Sequence, residues 1–472
     1  MNPRALADSL LRESLAAFIE RVFYTLNPGQ TFYSGYHIRA LAYKLEQVER
    51  GEIRRLAIAM PPRHLKSICT SVAFPAWQLG RDPSRRIIAA SYGIDLAHGF
   101  SLQTRQIMEQ DWYRRIFPGT IIDPRRNNID EFRTTCHGYR IATSVGGALT
   151  GKGGNTLIID DAMKAADAYS ESARRAKREW FQTTVLSRLD NPKRDAIVLV
   201  GQRLHVDDPI GLTIEQGGWE YLELPAIAIE HQKIQIAENA DWARRPGEIL
   251  QPERVGKAEL DQLRRDMGSA AFEAQYQQRP VPAEGNLIKL EWLKRYDEND
   301  LLSLPHFEAV VQCWDTAMVP GEGNDYNVCT TWGILGERFY LLDIFREQLN
   351  YPDLRRSVIR LRRELRATMV LVEWAGSGVP LFQDLDGYGG DRIYYCKPKD
   401  NKVTRVAHQS AKIEAGHVYL PRKASWLSAF ETEIAAFPNG KHDDQVDSMT
   451  MFLRVIDQRP DPIRHLSYYA GK

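Results

Sequence analysis

The chain has 472 residues, of which 43% are hydrophobic and 26% charged, so it can bury the cores of two or three domains and is not a disordered chain. Its 62 basic and 61 acidic residues leave a net charge of +1, which excludes nucleic-acid binding driven by overall charge. The five cysteines are far apart and form no C-x-x-C pair, so we expect no disulfide framework and a reducing, cytoplasmic setting. No apolar run is long enough to span a bilayer, so we expect no membrane partner.

Residues 1–50 are predicted to form amphipathic helices, with apolar residues at helical spacing between Leu6 and Phe23. The segment from Phe32 to His37 lies between two of these helices. It is either an arm that packs on the next domain or a lid that contacts an adenine, and the pattern does not separate the two.

Four short apolar runs between residues 51 and 225 alternate with helical stretches. Strands that alternate with helices predict a parallel α/β sheet, whose strands are buried on both faces and therefore carry no charge. The predicted strands are Leu56–Ala59, Ile87–Ala90, Thr156–Ile159 and Ile197–Val200.

The first of these strands continues through a Pro-Pro pair to Lys66 and Ser67. A strand, a turn and Lys-Ser at the start of a helix are typical of a phosphate-binding loop, in which backbone N–H groups and the lysine bind phosphate and the hydroxyl holds magnesium. The two usual glycines are replaced by Met60 and Leu65, so a proline turn followed by an ordinary surface lysine is the alternative. The predicted nucleotide contacts are Arg63, His64, Leu65, Lys66 and Ser67.

The third strand ends in Asp160 and Asp161, which supply the acidic partner that a phosphate loop needs. We expect Asp160 to coordinate magnesium and Asp161 to polarise the attacking water. An N-cap role for this pair is the alternative, and it is compatible with catalysis. After the fourth strand, Gln202 either senses the γ-phosphate or only caps the strand.

Residues 226–300 are irregular and rich in proline, and we interpret them as a linker. Residues 301–472 are predicted to form three antiparallel strands, then helix, strand, helix, strand and helix. This order is that of a ribonuclease H-like domain. Its strands are predicted at Ala309–Trp314, Val328–Leu335, Arg338–Phe345, Met369–Val372 and Ile393–Cys396, and its helices at Pro352–Arg366, at Pro380–Leu385 and from about Asp443 to Ile456.

Carboxylates stand at three points that this topology brings together. Asp315 ends the first strand of the domain, Glu373 ends the fourth, and an H-D-D-x-x-D cluster opens the last helix. Several carboxylate oxygens in one place are suitable ligands for two magnesium or manganese ions, which could catalyse cleavage of a phosphodiester. The alternative is that these carboxylates are ordinary turn residues at the ends of strands. Spacing leaves open which members of the cluster bind metal among Asp443, Asp444 and Asp447.

Five motifs together resemble the large terminase subunit of tailed bacteriophages. They occur in the family's order and extend over most of the chain. The motifs are P-P-R-H-L-K-S at 61–67, L-I-I-D-D at 157–161, G-Q-R at 201–203, A-Q-Y-Q-Q-R-P at 274–280 and F-P-N-G-K-H-D-D-Q-V-D-S at 437–448.

The resemblance implies an ATPase domain, a linker and a ribonuclease H-like nuclease, with ATP and Mg²⁺ as cofactors and Mn²⁺ as an alternative at the nuclease. It implies that Lys66 and Ser67 bind ATP phosphates and magnesium, and that Arg63 acts in cis. Asp161 corresponds to the catalytic acid, which is usually Glu in the family. The implied nuclease triad is Asp315, Glu373 and Asp444, with Asp443 as an additional ligand.

The function implied is that of a motor that moves double-stranded viral DNA into a procapsid and cuts concatemeric DNA. Its implied partners are the portal protein, the small terminase subunit and further copies of the chain in a ring. The implied location is the cytoplasm of an infected or prophage-carrying bacterium.

Two other functions are compatible with parts of the sequence. A helicase-like ATPase fused to a recombinase-type nuclease would need accessory motifs after Gln202, and the linker shows none. A non-catalytic or ATPase-only docking component of the capsid vertex would have lost catalytic residues, which the complete Lys-Ser and carboxylate sets argue against.

Overall fold

The computed structural model describes residues 3–147, 151–280, 287–304, 306–316, 326–385, 392–397, 400, 402–438, 440 and 442–457. The chain divides into two units, one of residues 1–264 and 269–282, the other of residues 265–268 and 283–472. Within the described ranges, no helix has both the length and the apolar surface needed to cross a membrane.

The first unit is built on an eight-stranded sheet in the order β3-β4-β5-β2-β6-β7-β1-β8. The six strands from β5 to β8 in this order are parallel, and β4 pairs antiparallel with both β5 and β3, so the predicted parallel α/β sheet is confirmed. Its strands are β1 (Arg55–Ala59), β2 (Arg86–Ser91), β3 (Ile122–Asn127), β4 (Glu131–Thr134), β5 (Tyr139–Ser144), β6 (Thr156–Asp160), β7 (Ala196–Gly201) and β8 (Glu220–Glu223).

Helices cover the sheet, and the N-terminal helices are part of this core. The Phe18 ring lies 5.5 Å from that of Trp112 and 6.2 Å from that of Phe117, which anchors α2 on α6. In the Phe32–His37 segment, the buried Phe32 ring lies 5.2 Å from that of Phe23, which supports the packing-arm interpretation, whereas adenine contact stays a prediction. The helices are α1 (Pro3–Glu13), α2 (Leu15–Leu26), α3 (Tyr36–Glu49), a π-helical segment (Ile68–Ala73) continued by α4 (Phe74–Arg81), α5 (Ile94–Met108), α6 (Asp111–Ile116), α7 (Glu171–Trp180) and α8 (Pro209–Gln216).

Much of the stretch interpreted as a linker is ordered within the first unit. It begins with an antiparallel hairpin whose last residue, Arg244, is buried and donates to the carbonyl oxygens of Pro225 and Glu248, each at 3.0 Å. The division into residues 1–50, 51–225, 226–300 and 301–472 stays a prediction. The elements of this stretch are β9 (Gln232–Ala237), β10 (Ala240–Arg244), α9 (Lys257–Met267), α10 (Ser269–Gln275), β11 (Lys294–Tyr296) and α11 (Glu298–Ser303).

The second unit is built on a seven-stranded sheet in the order β11-β17-β14-β13-β12-β15-β16. The three antiparallel strands and the parallel neighbours that follow were predicted correctly, whereas α14, β17 and α15 were missed. The elements are β12 (Ala309–Asp315), β13 (Asn327–Leu335), β14 (Arg338–Glu347), α12 (Tyr351–Glu364), β15 (Met369–Glu373), α13 (Gly378–Leu385), β16 (Ile393–Cys396), α14 (Lys402–Glu414), β17 (Val418–Pro421), α15 (Leu427–Ala436) and α16 (Asp444–Asp457).

Helix α16 is fixed to this sheet by stacking and by a hydrogen bond. The rings of Trp332 and Phe452 stack with centroids 4.7 Å apart. One turn after the helix begins, the Ser448 hydroxyl donates to the carbonyl oxygen of Cys313 at 2.7 Å. These contacts place the acidic start of α16 beside the end of β12.

The loop between β1 and the π-helical segment takes a backbone conformation that normally favours glycine. Arg63 has φ 65° and Leu65 has φ 63°, both in the left-handed region. A residue with a Cβ pays about 1–2 kcal/mol there. Leu65 is half-buried and packs against the core, so its side chain offsets part of this cost. The missing glycine is therefore replaced by a strained leucine with the same backbone geometry.

We predict that Leu65→Gly is more stable than Leu65→Ala by about 1 kcal/mol, because both lose the packing but only glycine also relieves the left-handed strain. This order is the reverse of that expected at an ordinary helical position. Thermal or denaturant unfolding of the two variants measures it. An alanine variant as stable as the glycine variant would show that the backbone at Leu65 is not strained.

Two candidate active sites at strand ends

The carboxyl ends of β1 and β6 flank β7, and both continuations are tied to it. The Met60 N–H donates to the carbonyl oxygen of Gly201 at 3.0 Å, and the Asp161 N–H donates to that of Val200 at 2.8 Å. Carboxyl ends of parallel strands are where ligands bind in such sheets. The phosphate loop and the acidic pair therefore share one edge, as the sequence predicted.

Lys66 is buried at this edge and faces Asp161. Its side chain is only 7% exposed, and its Nζ lies 3.4 Å from Asp161 Oδ2. The alternative of an ordinary surface lysine is therefore wrong. Asp161 has φ 48°, a left-handed conformation that is uncommon for a residue with a side chain.

Asp160 is held by two hydroxyls from the helical segment that follows the loop. Ser67 Oγ donates to Asp160 Oδ1 at 3.2 Å, and Ser71 Oγ donates to Oδ2 at 2.6 Å. Burial, reinforced by the nearby charge of Asp161, raises the pKa of Asp160 to about 7. Ser71 was missed by the sequence interpretation, although its position four residues after Ser67 could have indicated it.

The side chain of His64 is buried and that of Leu65 is half-buried. The His64 ring is 2% exposed, and its Nδ1 lies 2.8 Å from the carbonyl oxygen of Pro62. Burial lowers the pKa of His64 to about 4. His64 and Leu65 can therefore contribute backbone N–H groups to a phosphate, whereas the exposed Arg63 can contribute a charge.

Gln202 follows β7, and its Oε1 is buried without a hydrogen-bond partner in the part of the chain that the structure describes. The next residue, Arg203, donates its backbone N–H to Gln278 Oε1 at 3.0 Å. Arg63 lies close enough to the Tyr276 hydroxyl to affect its pKa, which burial raises. The A-Q-Y-Q-Q-R-P motif therefore lies beside the sheet edge at which β1, β6 and β7 end. Sequence spacing alone could not predict this placement.

The second candidate site lies where β12 and β15 end. These strands are parallel neighbours, with Trp314 opposite Val372, so Asp315 and Glu373 emerge side by side. Glu373 lies close enough to Asp315 to affect its pKa. Burial, followed by the charges of Glu373 and Asp447, raises the pKa of Asp315 well above its usual range.

The start of α16 brings the remaining carboxylates to this point. Asp444 Oδ2 accepts the Tyr326 N–H at 3.4 Å, and Asp443 and Asp447 lie on one side of the helix start, where both contact Lys402. Glu433 of α15 accepts the backbone N–H of Gln445 at 2.7 Å and so caps the helix. The sequence interpretation missed Glu433.

Two cations of α14 occupy the space between the carboxylates. Arg405 donates to Glu373 Oε1 at 2.9 Å and to Asp447 Oδ1 at 2.8 Å. Lys402 Nζ lies 2.6 Å from Asp443 Oδ1 and 3.0 Å from Asp447 Oδ2. The sequence interpretation missed both cations because it did not predict α14.

Carboxylate oxygens are suitable ligands for Mg²⁺ or Mn²⁺, but their arrangement is not that of a metal site. No three His, Cys, Asp or Glu side chains among the described residues are grouped so that they could hold a metal ion. Both oxygens of Asp447 and one of Glu373 contact a cationic side chain instead. The predicted ligand chemistry is present, and which of these carboxylates bind metal stays a prediction.

We predict that Asp160→Asn becomes more stable relative to the unmodified protein as pH rises from about 4 to about 7, in the absence of nucleotide and divalent ions. Because burial raises the pKa of Asp160 to about 7, the folded protein retains a proton that the unfolded chain loses in this range, and its stability falls. The asparagine variant lacks this dependence, so the difference grows by up to about 1.4 kcal/mol for each pH unit. Unfolding midpoints at pH 5, 6 and 7 measure it, and a difference independent of pH would contradict the prediction.

Known proteins match the chain in two ways, through a family model of its C-terminal part and through solved structures that cover most of its length. Residues 312–454 match the family model of the terminase RNaseH-like domain. The large terminase of a thermophilic bacteriophage, in its second crystal form, is 10% identical, with 90% of this chain and 99% of that chain covered and a TM-score of 0.52. The complex of the same large terminase with ATP-gamma-S is also 10% identical. The match covers 89% of this chain and 98% of that chain, with a TM-score of 0.51. No curated protein sequence matches significantly.

The large terminase nuclease of the thermophilic phage G20c with bound magnesium is 16% identical to the chain. The match covers 37% of this chain and 98% of that chain, at a TM-score of 0.27 that is too low to inform the metal site here. The family match and the two structures of the first large terminase confirm the resemblance drawn from the sequence motifs, and with it the predicted fold class. Residues 312–454 therefore match the terminase RNaseH-like domain, and the chain as a whole has the fold seen in a phage large terminase.

Proposed function

We propose that the chain is a viral DNA-packaging motor subunit that hydrolyses ATP to move double-stranded DNA into a procapsid and cuts concatemeric DNA. One observation carries the proposal: the buried Lys66 and the Asp160–Asp161 pair converge on one edge of a parallel sheet, directly after a strained loop of backbone N–H groups. In other proteins, a loop of backbone N–H groups with such a lysine and an acidic pair binds a nucleoside triphosphate. The thermophilic-phage large terminase that shares the fold was solved in complex with ATP-gamma-S.

In the proposed ATPase, each residue has a role that its placement supports. Lys66 neutralises phosphate charge, and the exposed Arg63 adds a second positive charge from the same loop. Asp161 orients the attacking water once a phosphate draws Lys66 away from it. Ser67 and Asp160 would hold Mg²⁺, which supplies a Lewis acid for the phosphates, and their hydrogen bond already brings the two oxygens together. Gln202 is proposed to sense the γ-phosphate.

In the proposed endonuclease, Asp315, Glu373 and Asp444 are the catalytic carboxylates. Their convergence at the ends of β12 and β15 and at the start of α16 supports this assignment. Mg²⁺ or Mn²⁺ would be the metal, with Asp443 and Asp447 as further candidate ligands. The carboxylates do not form a metal site in the arrangement described above.

The proposed partners are double-stranded viral DNA, the portal protein, the small terminase subunit and other copies of the chain in a ring. The proposed place of action is the cytoplasm of the bacterial host. These proposals rest on the terminase fold and on the family match of the second unit.

We predict that Lys66→Ala reduces ATP turnover at least about 100-fold, because the phosphates lose their buried counter-charge. Lys233→Ala is the matched control, since Lys233 is 79% exposed and paired with Asp241 on the neighbouring strand. A steady-state ATPase assay compares the two variants. Full turnover by Lys66→Ala would refute the assignment of the phosphate loop.

We predict that Asp315→Ala abolishes plasmid cleavage in the presence of Mn²⁺ and leaves ATP turnover intact. Burial and the neighbouring carboxylates disfavour the charged form of Asp315, so its removal relieves repulsion, and thermal unfolding of the variant checks that loss of cleavage is not loss of folding. Glu364→Ala, which removes an exposed carboxylate paired with Arg360, is the control. ATP hydrolysis without any cleavage by the unmodified protein would favour the alternative of an ATPase-only docking component of the capsid vertex.

A further inference from the structure

The carboxylates of the second candidate site already have cationic partners from the chain itself. We call Lys402 and Arg405 of α14 the cationic pair. Asp447 is shared between them, because Arg405 contacts its Oδ1 at 2.8 Å and Lys402 its Oδ2 at 3.0 Å. Arg405 also holds Glu373, and Lys402 also holds Asp443. The cationic pair thus takes oxygens that a metal ion would need.

The two cations differ in how readily they can leave. The Arg405 side chain is 9% exposed, and its planar guanidinium donates to two carboxylates in fixed directions. The Lys402 side chain is 46% exposed and ends in a flexible ammonium that water can solvate. Lys402 is therefore the member of the pair that can swing out, whereas Arg405 is a lasting part of the site.

We propose that Lys402 is a displaceable counter-ion that occupies the carboxylate site, and that a divalent cation binds there by taking its place. This inference rests on the proposed nuclease function and concerns how the same site is loaded. Asp443 Oδ1 and Asp447 Oδ2 become available to a divalent cation only when Lys402 leaves. Arg405 stays and acts as a positioning residue for Glu373 and Asp447.

The test is the binding of Mn²⁺ alone to the full chain, measured by isothermal titration calorimetry without nucleotide or DNA. Because Lys402→Met removes the competing charge and keeps the length of the side chain, we expect it to bind Mn²⁺ about tenfold more tightly than the unmodified protein. The matched control is Lys412→Met on the same helix, since Lys412 lies over the Phe339 ring, and it should bind as the unmodified protein does. Asp315→Ala should lose the same binding heat, which assigns that heat to this site.

Equal or weaker Mn²⁺ binding by Lys402→Met would overturn the proposal, and so would an Asp315→Ala variant that keeps the whole binding heat. If Lys402→Met folds poorly, Lys402→Gln removes the same charge but keeps a hydrogen-bond donor for the two aspartates. A second readout is stability in EDTA, where Lys402→Met should unfold at a lower temperature than Lys412→Met and regain the difference when Mn²⁺ is added. None of these measurements depends on cleavage, so plasmid cleavage that requires Asp315 would keep the proposed nuclease even if Lys402 proves to be no competitor.

Discussion

Both candidate sites obey one constraint: a carboxylate that is buried near the end of a strand is either matched by donors or cations or, as at Asp315, has a raised pKa. Burial without such partners would cost several kcal/mol for each charge. The first unit meets the constraint for Asp160 with two hydroxyls and places a lysine beside Asp161. The second unit meets it for Glu373 and Asp447 with a guanidinium. The partners of the buried carboxylates therefore come from helical segments next to each site, the π-helical segment and its N-terminal Ser67 in the first unit and α14 in the second.

The strands that could be predicted are those with continuous apolar runs. β1, β2, β6 and β7 are almost wholly buried, so their residues carry the pattern that two covered faces impose. β5 was missed because it contains the buried Arg140, which breaks the apolar run and donates to the carbonyl oxygen of Ser71. β17 was missed because it has only four residues and ends in Pro421. Tertiary contacts, not local pattern, define these two strands.

The sites were predicted to the extent that they follow strand ends. Asp161, Asp315 and Glu373 stand directly after or at the end of recognisable strands, and Lys66 follows β1 after one loop, so topology alone indicated the members of each site. The residues that partner them come from elements whose faces the pattern does not resolve. Such partners are Ser71, Lys402, Arg405 and Glu433, and each is identified by a contact across at least 12 residues.

The hydrogen bond between Arg203 and Gln278 determines where the polypeptide can be divided into fragments without loss of contacts in the first unit. Tyr276 and Gln277 pair with the backbone of Ala226 and Ile227, so the A-Q-Y-Q-Q-R-P motif closes the first unit, although it follows the stretch interpreted as a linker. A fragment that stops at residue 225 would lose these bonds and the Arg244 contacts, whereas one that extends to residue 280 keeps them. Cleavage after residue 280 would therefore leave the hydrogen bonds of Tyr276, Gln277 and Gln278 to the first unit intact.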